Sequence, residues 1–202
     1  MAKTRLGWVI LPYLAVFLGM ITLRSAWGAL IGFHLTLLPL LITRRQTISP
    51  RFLSPVSMKL LLPVAATGLS AGLGLWLLWP SVGIPADFPA RLAALGLSGL
   101  IWPFFIAYFT LVNPWLEEAY WRDVLASSSA YPALVDFLFA GYHLIILGLF
   151  VSPAWMLFAF VILTAAGWSW RQVSRYTGSL LPAALSHLLA DFSILMVLYL
   201  KA

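Results

Sequence analysis

The chain contains no cysteine, which removes disulfides, thiolate metal sites, a cysteine nucleophile and S-acylation of the chain itself. Charge is the second scarcity. Only 9% of residues are Asp, Glu, Lys or Arg, where a water-soluble globule carries about a quarter, so a soluble domain and a disordered segment are both excluded. The twelve Lys and Arg give a formal net charge of +6, yet no block of five or six like charges occurs, and nucleic acid is not an expected partner. No H-E-x-x-H stands anywhere in the 202 residues, so the common zinc-protease helix is absent. No fixed-period repeat or low-complexity tract marks a second domain, and the expectation is one membrane domain over 1–202.

What is abundant is apolar: 62% of residues, with mean hydropathy +0.98. The chain reads as an all-α, polytopic transmembrane helix bundle in contact with the lipid bilayer. A crossing needs about 20 apolar residues, at about 1.5 Å of rise each through a layer about 30 Å thick. Seven runs qualify approximately: Gly7–Leu23, Trp27–Ile42, Leu60–Trp79, Leu92–Val112, Tyr131–Val151, Pro153–Trp170 and Ser179–Leu200. The first is too long for a signal core and lacks a small-residue cleavage site after it, so it is expected to be retained as a span. Lys3, Arg5, Arg44, Arg45, Arg51, Lys59, Arg122, Arg171 and Arg175 would lie on one side, against Arg24, Arg91 and Lys201 on the other. That nine-to-three split predicts N-in, C-out.

Ionisable side chains inside a bilayer cost about 2.5–3.5 kcal/mol each on insertion scales, so those present need a reason. They gather in the second half: Glu117, Glu118, Arg122, Asp123, Asp136, His143, His187 and Asp191, with His34 apart from them. Residues four apart share a helix face, which pairs His187 with Asp191, Phe139 with His143 and Glu118 with Arg122. His143 and His187 fall at similar depths if the fifth and seventh runs enter from the same side. Glu117 reaches that depth only if its helix continues to about Ser127 and its later portion is the embedded one, a shift that a kink at Pro114 would assist.

A carboxylate that takes a proton from water, with imidazoles and a second carboxyl to position it, suits hydrolysis, peptide hydrolysis foremost. The same donors could instead hold a divalent metal such as Zn²⁺, and spacing does not separate the two.

Three motifs stand in order: Glu117-Glu118-Ala-Tyr-Trp-Arg122, Phe139-Ala-Gly-Tyr-His143 and His187-Leu-Leu-Ala-Asp191. They resemble EExxxR, FxxxH and HxxxN/D of the CAAX protease and bacteriocin-processing family (CPBP, or Abi) of intramembrane endopeptidases. Arg175-Tyr-Thr177-Gly178-Ser179-Leu-Leu-Pro182-Ala resembles that family's approach to its last motif. The likeness covers a core of about 113–191. It implies a glutamic-type intramembrane peptidase opening to the cytoplasm, in the inner membrane if the source is bacterial, and without an obligatory cofactor. Glu117 would be the general base. His143 and His187 would position water and stabilise the oxyanion, and Asp191 would complete the site where many relatives carry Asn. Glu118, Arg122 and Phe139 would support it. The implied partner is a peptide or protein substrate at the membrane, prenylated or leader-bearing. The alternative is a non-catalytic scaffold or immunity protein of the same shape that binds a partner; a proton-coupled transporter lacks the matched broken helices it would need.

The other polar and aromatic residues have plainer expectations. Glu118 and Arg122 form an ion pair at the membrane edge. His34 has a packing or interfacial role. Asp136 complements the start of the fifth helix, and Asp123 is exposed. The Trp and Tyr residues, including Tyr120, Trp121 and Tyr142, are interfacial anchors. Gly72 and Gly74 allow close helix packing.

Overall fold

A computed structural model describes residues 3–43 and 50–202. Every regular element among them is helical, and no strand occurs. α1 (Lys3–Phe17) runs on as a π-helical stretch, Leu18–Thr22, and α2 is Ala26–Thr43. A short 3₁₀ turn, Pro50–Phe52, precedes α3 (Met58–Thr67) and α4 (Leu69–Val82), and α5 is the short helix Phe88–Ala94. α6 (Ile101–Glu117) continues as π helix over Glu118–Val124, followed by α7 (Leu134–Leu147), α8 (Pro153–Thr177) and α9 (Leu181–Lys201).

Among the described residues, four stretches are long and apolar enough to cross a membrane: Ala26–Thr43, Met58–Val82, Pro153–Thr177 and Leu181–Lys201. Gly7–Thr22 and Leu134–Leu147 are shorter apolar helices. The polarity of the bundle is that of a membrane protein. Leu73, Leu77, Leu157, Val161 and Leu200 are exposed, whereas Glu117, Glu118, Arg122, Asp136, Arg171 and His187 are buried. Lipid solvates the apolar exterior, and polar groups are retained only where other polar groups meet them.

The fourth run differs most from its sequence expectation. The chain over Leu92–Val112 is not one helix: α5 ends at Ala94, Gly96 and Gly99 adopt positive φ, and α6 starts at Ile101. The helix therefore carries the acidic motif within its length, because the charges of 113–124 are paired inside the bundle and do not end it. Pro114 cannot donate a backbone hydrogen bond, and the ladder widens to π geometry directly after, from Glu118.

α9 is the hub, packing against α3, α4, α6 and α8. Its approach to α3 and α4 rests on two glycines. A Cβ at Gly68 would come within 2.0 Å of the Ser186 carbonyl oxygen, and one at Gly72 within 2.5 Å of Ser193 Cβ. Gly74 faces open space, so the close packing read there belongs to Gly68 and Gly72.

Arg51 fastens three helix ends. Its guanidinium donates to Asp123 Oδ1 (3.0 Å), Ser174 O (2.8 Å) and Gly178 O (3.3 Å), while its own carbonyl accepts from Leu180 N and Ser179 Oγ. Asp123 is thus an ion-pair partner with only 12% of its side chain accessible, not an exposed acid. At the other end, Ala26 N donates to Leu95 O and Arg91 donates to Leu149 O. Arg122 and Arg171 are buried and paired, which withdraws both from the count of loop cations. Arg44 and Arg45, also in that count, lie outside the described residues, as do the side chains of Lys3 and Arg5.

Candidate active site

The EExxxR segment runs through the middle of the bundle, with Glu117 through Arg122 all at 2% exposure or less. Consecutive helical residues can all be buried only where protein surrounds the helix. Tyr120 donates to Trp8 O of α1 (2.6 Å), and Trp121 stacks on Tyr142 of α7 at 6.2 Å and 10°. Tyr120, Trp121 and Tyr142 are therefore core residues and not interfacial anchors.

Glu117 meets α7 through the Tyr142 hydroxyl, which donates to Oε1 at 2.5 Å, while Oε2 is buried without a hydrogen-bond partner. The neighbouring carboxylate turns to α9: His187 Nδ1 donates to Glu118 Oε1 at 3.0 Å. Glu118 Oε2 lies 3.4 Å from Arg122 Nε in an ion pair that is 1% and 0% accessible. This pair is interior, unlike the membrane-edge pair expected from spacing. The Arg122 guanidinium lies 4.0 Å over the centre of the Phe139 ring, a cation–π contact in place of water. A Cβ at Gly167 of α8 would fall 2.9 Å from that ring, so glycine makes room for it.

The two histidines flank Phe139, at centroid distances of 5.1 Å for His143 and 5.9 Å for His187. His143 Nδ1 is 2.9 Å from Phe139 O. A carbonyl only accepts, so Nδ1 carries the hydrogen and Nε2 of the neutral ring is left as an acceptor. His187 stacks on Trp170 at 4.4 Å and 19°, and its Nε2 is 3.6 Å from Asp191 Oδ1. Trp170 Nε1 donates to Ser186 Oγ (3.0 Å), which fixes the plane of that stack. His143 and Asp191 are partly accessible, whereas Glu117 and His187 are buried.

Asn113, one turn before Glu117, donates to Asp191 Oδ2 at 3.4 Å and accepts from His34 Nε2 at 3.1 Å. His34 is 3% exposed and hydrogen-bonded into this array, so of the packing or interfacial role read for it the interfacial part is excluded. Sequence reasoning missed Asn113, Tyr142 and Trp170 as well. Asn113 and Tyr142 had a local signal, one at i−4 from Glu117 and the other beside His143; Trp170 and His34 had none.

Asp136 caps α7, accepting from Ala133 N at 2.8 Å, as its position predicts. It also forms a buried ion pair with Arg171 of α8, 2.6 Å from Nη2. Arg171 donates further to the carbonyls of Ser127, Ser129 and Tyr131. This guanidinium holds the connection between the EExxxR and FxxxH helices together with Gln172 and Arg175, which also donate to Ser129 O, and Trp168, which donates to Ala130 O.

Among the described residues, no three His, Asp or Glu side chains are grouped to hold one metal ion. Nδ1 of His143 is committed to a carbonyl, and both nitrogens of His187 face carboxylates. Nε2 of His143 keeps a free lone pair, and no chemical step below passes through a metal.

An apolar groove of about 530 Å³ lies between α6 and α9, lined by Ile106, Ala107, Thr110, Phe192, Met196 and Tyr199 among others.

Residues 98–193 match the family described as type II CAAX prenyl endopeptidase Rce1-like, in agreement with the likeness carried by the three motifs. The match spans α6 to most of α9 and leaves α1 to α5 outside it. No curated protein and no solved structure matches the chain.

Proposed function

We propose that the chain is a glutamic-type intramembrane endopeptidase of the CAAX protease and bacteriocin-processing family. It crosses the membrane seven times, N-in and C-out, and hydrolyses a peptide bond of a membrane-associated substrate at a site open to the cytoplasm. The single observation that carries this reading is the state of Glu117: buried, fixed at Oε1 by Tyr142, uncommitted at Oε2, and on the helix that bonds to His187 through Glu118 and to Asp191 through Asn113.

In the proposed reaction Glu117 Oε2 takes a proton from water while the water oxygen attacks the carbonyl carbon. His143 Nε2 accepts the water's other hydrogen and aims its lone pair. The oxyanion of the tetrahedral intermediate is met by His187 as an imidazolium, whose Nδ1–H donates to Glu118 and whose Nε2–H, 3.6 Å from Asp191, turns to the oxyanion. As the intermediate collapses, the C–N bond breaks and Glu117 returns its proton to the leaving amine, so the carboxylate is regenerated and one water is consumed. Arg122 and Glu118 hold His187 in place.

The groove between α6 and α9 supports a class of substrate: its apolar lining suits a lipid-modified or membrane-inserted chain. The test is Glu117→Gln, which keeps the shape and removes the base. Cleavage should fall by about 10²–10⁴-fold, the usual contribution of a general base, with unchanged folding by detergent-solubilised gel filtration. Normal processing by this variant would remove Glu117 from the reaction.

A further inference from the structure

We propose that His34, outside the matched segment, is a positioning residue that orients Asn113 and thereby sets the direction of the Asp191 carboxylate in the site. The argument rests on which atoms can donate. Asp191 Oδ2 is an acceptor, so the Asn113 group 3.4 Å from it is its amide nitrogen, and the Asn113 carbonyl faces away toward α2. That carbonyl is met at 3.1 Å by His34 Nε2, which must therefore carry a hydrogen. His34 Nδ1 is then the acceptor, and the group within reach of it is the Tyr108 hydroxyl at 3.2 Å. Each link has one direction: Tyr108 O–H to His34 Nδ1, His34 Nε2–H to Asn113 Oδ1, Asn113 N–H to Asp191 Oδ2.

Without His34 the Asn113 amide could rotate by half a turn and present its oxygen to a carboxylate, a repulsive pairing that would turn Asp191 away from His187. Tilted rings flank His34: Phe33 at 6.1 Å and Tyr108 at 5.6 Å between centroids. It lies on α2, and Asn113 is 79 residues away on α6, so the first half of the chain supplies a part of the site that the motif helices lack. The inference rests on the peptidase reading for its kinetic consequence and on geometry alone for the hydrogen-bond chain.

The test has two arms. In the first, His34→Phe, which preserves shape, lowers kcat by about ten- to a hundredfold, the scale of a lost hydrogen bond in a charged network, with KM unchanged. His34→Gln, whose amide N–H reaches the same point, restores most of the rate. In an Asp191→Asn background His34→Phe adds less than about twofold, because both act through one carboxylate. A packing role would give additive losses and no rescue by Gln. In the second arm, ¹⁵N-histidine spectra of the whole protein in nanodiscs, with three histidines to assign, show His34 hydrogen-bearing at Nε2, and Asn113→Leu abolishes that preference. Additive losses, or a His34 ring with its hydrogen on Nδ1, overturn the proposal. A wild type that cleaves nothing but shows the Nε2–H form overturns the peptidase reading and leaves His34 as the orienting group of Asn113.

Discussion

Tyr142 decides what Glu117 can do. Its hydroxyl occupies one carboxylate oxygen at 2.5 Å and leaves the other without a hydrogen-bond partner, which the proposed reaction uses as its base. Tyr142→Phe keeps the ring that stacks on Trp121 and His143 and deletes only the donor. The expected result is a loss of about tenfold or more in kcat, on the scale of a hydrogen bond to a charged group, about 1.5–3 kcal/mol, exceeding any loss of stability. Equal losses in stability and rate would mean that the hydroxyl serves the fold. Residues of this kind show why the site was only partly legible in sequence. Glu118 with Arg122 and His187 with Asp191 announce themselves by i, i+4 spacing on one helix. Tyr142 and Glu117 are 25 residues apart on different helices, and His34 reaches Asn113 across 79. No periodicity joins them, and a histidine among leucines looks like packing until its neighbour is known.

At the scale of elements, what positions the site is the Ser127–Tyr131 connection and the guanidinium beneath it. Arg171 places every one of its N–H groups on a carbonyl or on Asp136. Removing one partner of a buried pair leaves an uncompensated charge and costs about 3–5 kcal/mol. Arg171→Met should therefore lower the unfolding temperature sharply, and proteolysis should open first between residues 127 and 131, where Ser127 and Tyr131 lose their bonds to it and Ser129 loses one of three. Undiminished stability would show that the connection is held by other means. The order of helices was legible because long apolar runs are hard to hide. The fourth boundary was not, because a hydropathy reading ends a span at its charges, whereas this bundle buries Glu117, Glu118 and Arg122 against Phe139, Tyr142 and His187.

For the whole molecule, the proposed seven-pass orientation puts the ends gathered by Arg51, together with the Ser127–Tyr131 connection, on the cytoplasmic side, and the 83–87 turn outside. The absence of cysteine makes this directly measurable. A membrane-impermeant thiol reagent should label Ala86→Cys in intact cells, and Ser128→Cys only after permeabilisation; both positions are exposed. The reverse pattern would invert the orientation and place the pocket on the other face. The central claim concerns chemistry, and it is tested most directly by following oxygen from water into product. Membranes carrying the wild type or Glu117→Gln are incubated in H₂¹⁸O, and the new peptide C-termini are weighed by mass spectrometry. Wild type should yield C-terminal carboxylates carrying one ¹⁸O, and Glu117→Gln should yield almost none. Labelled termini in equal number from both would contradict the account.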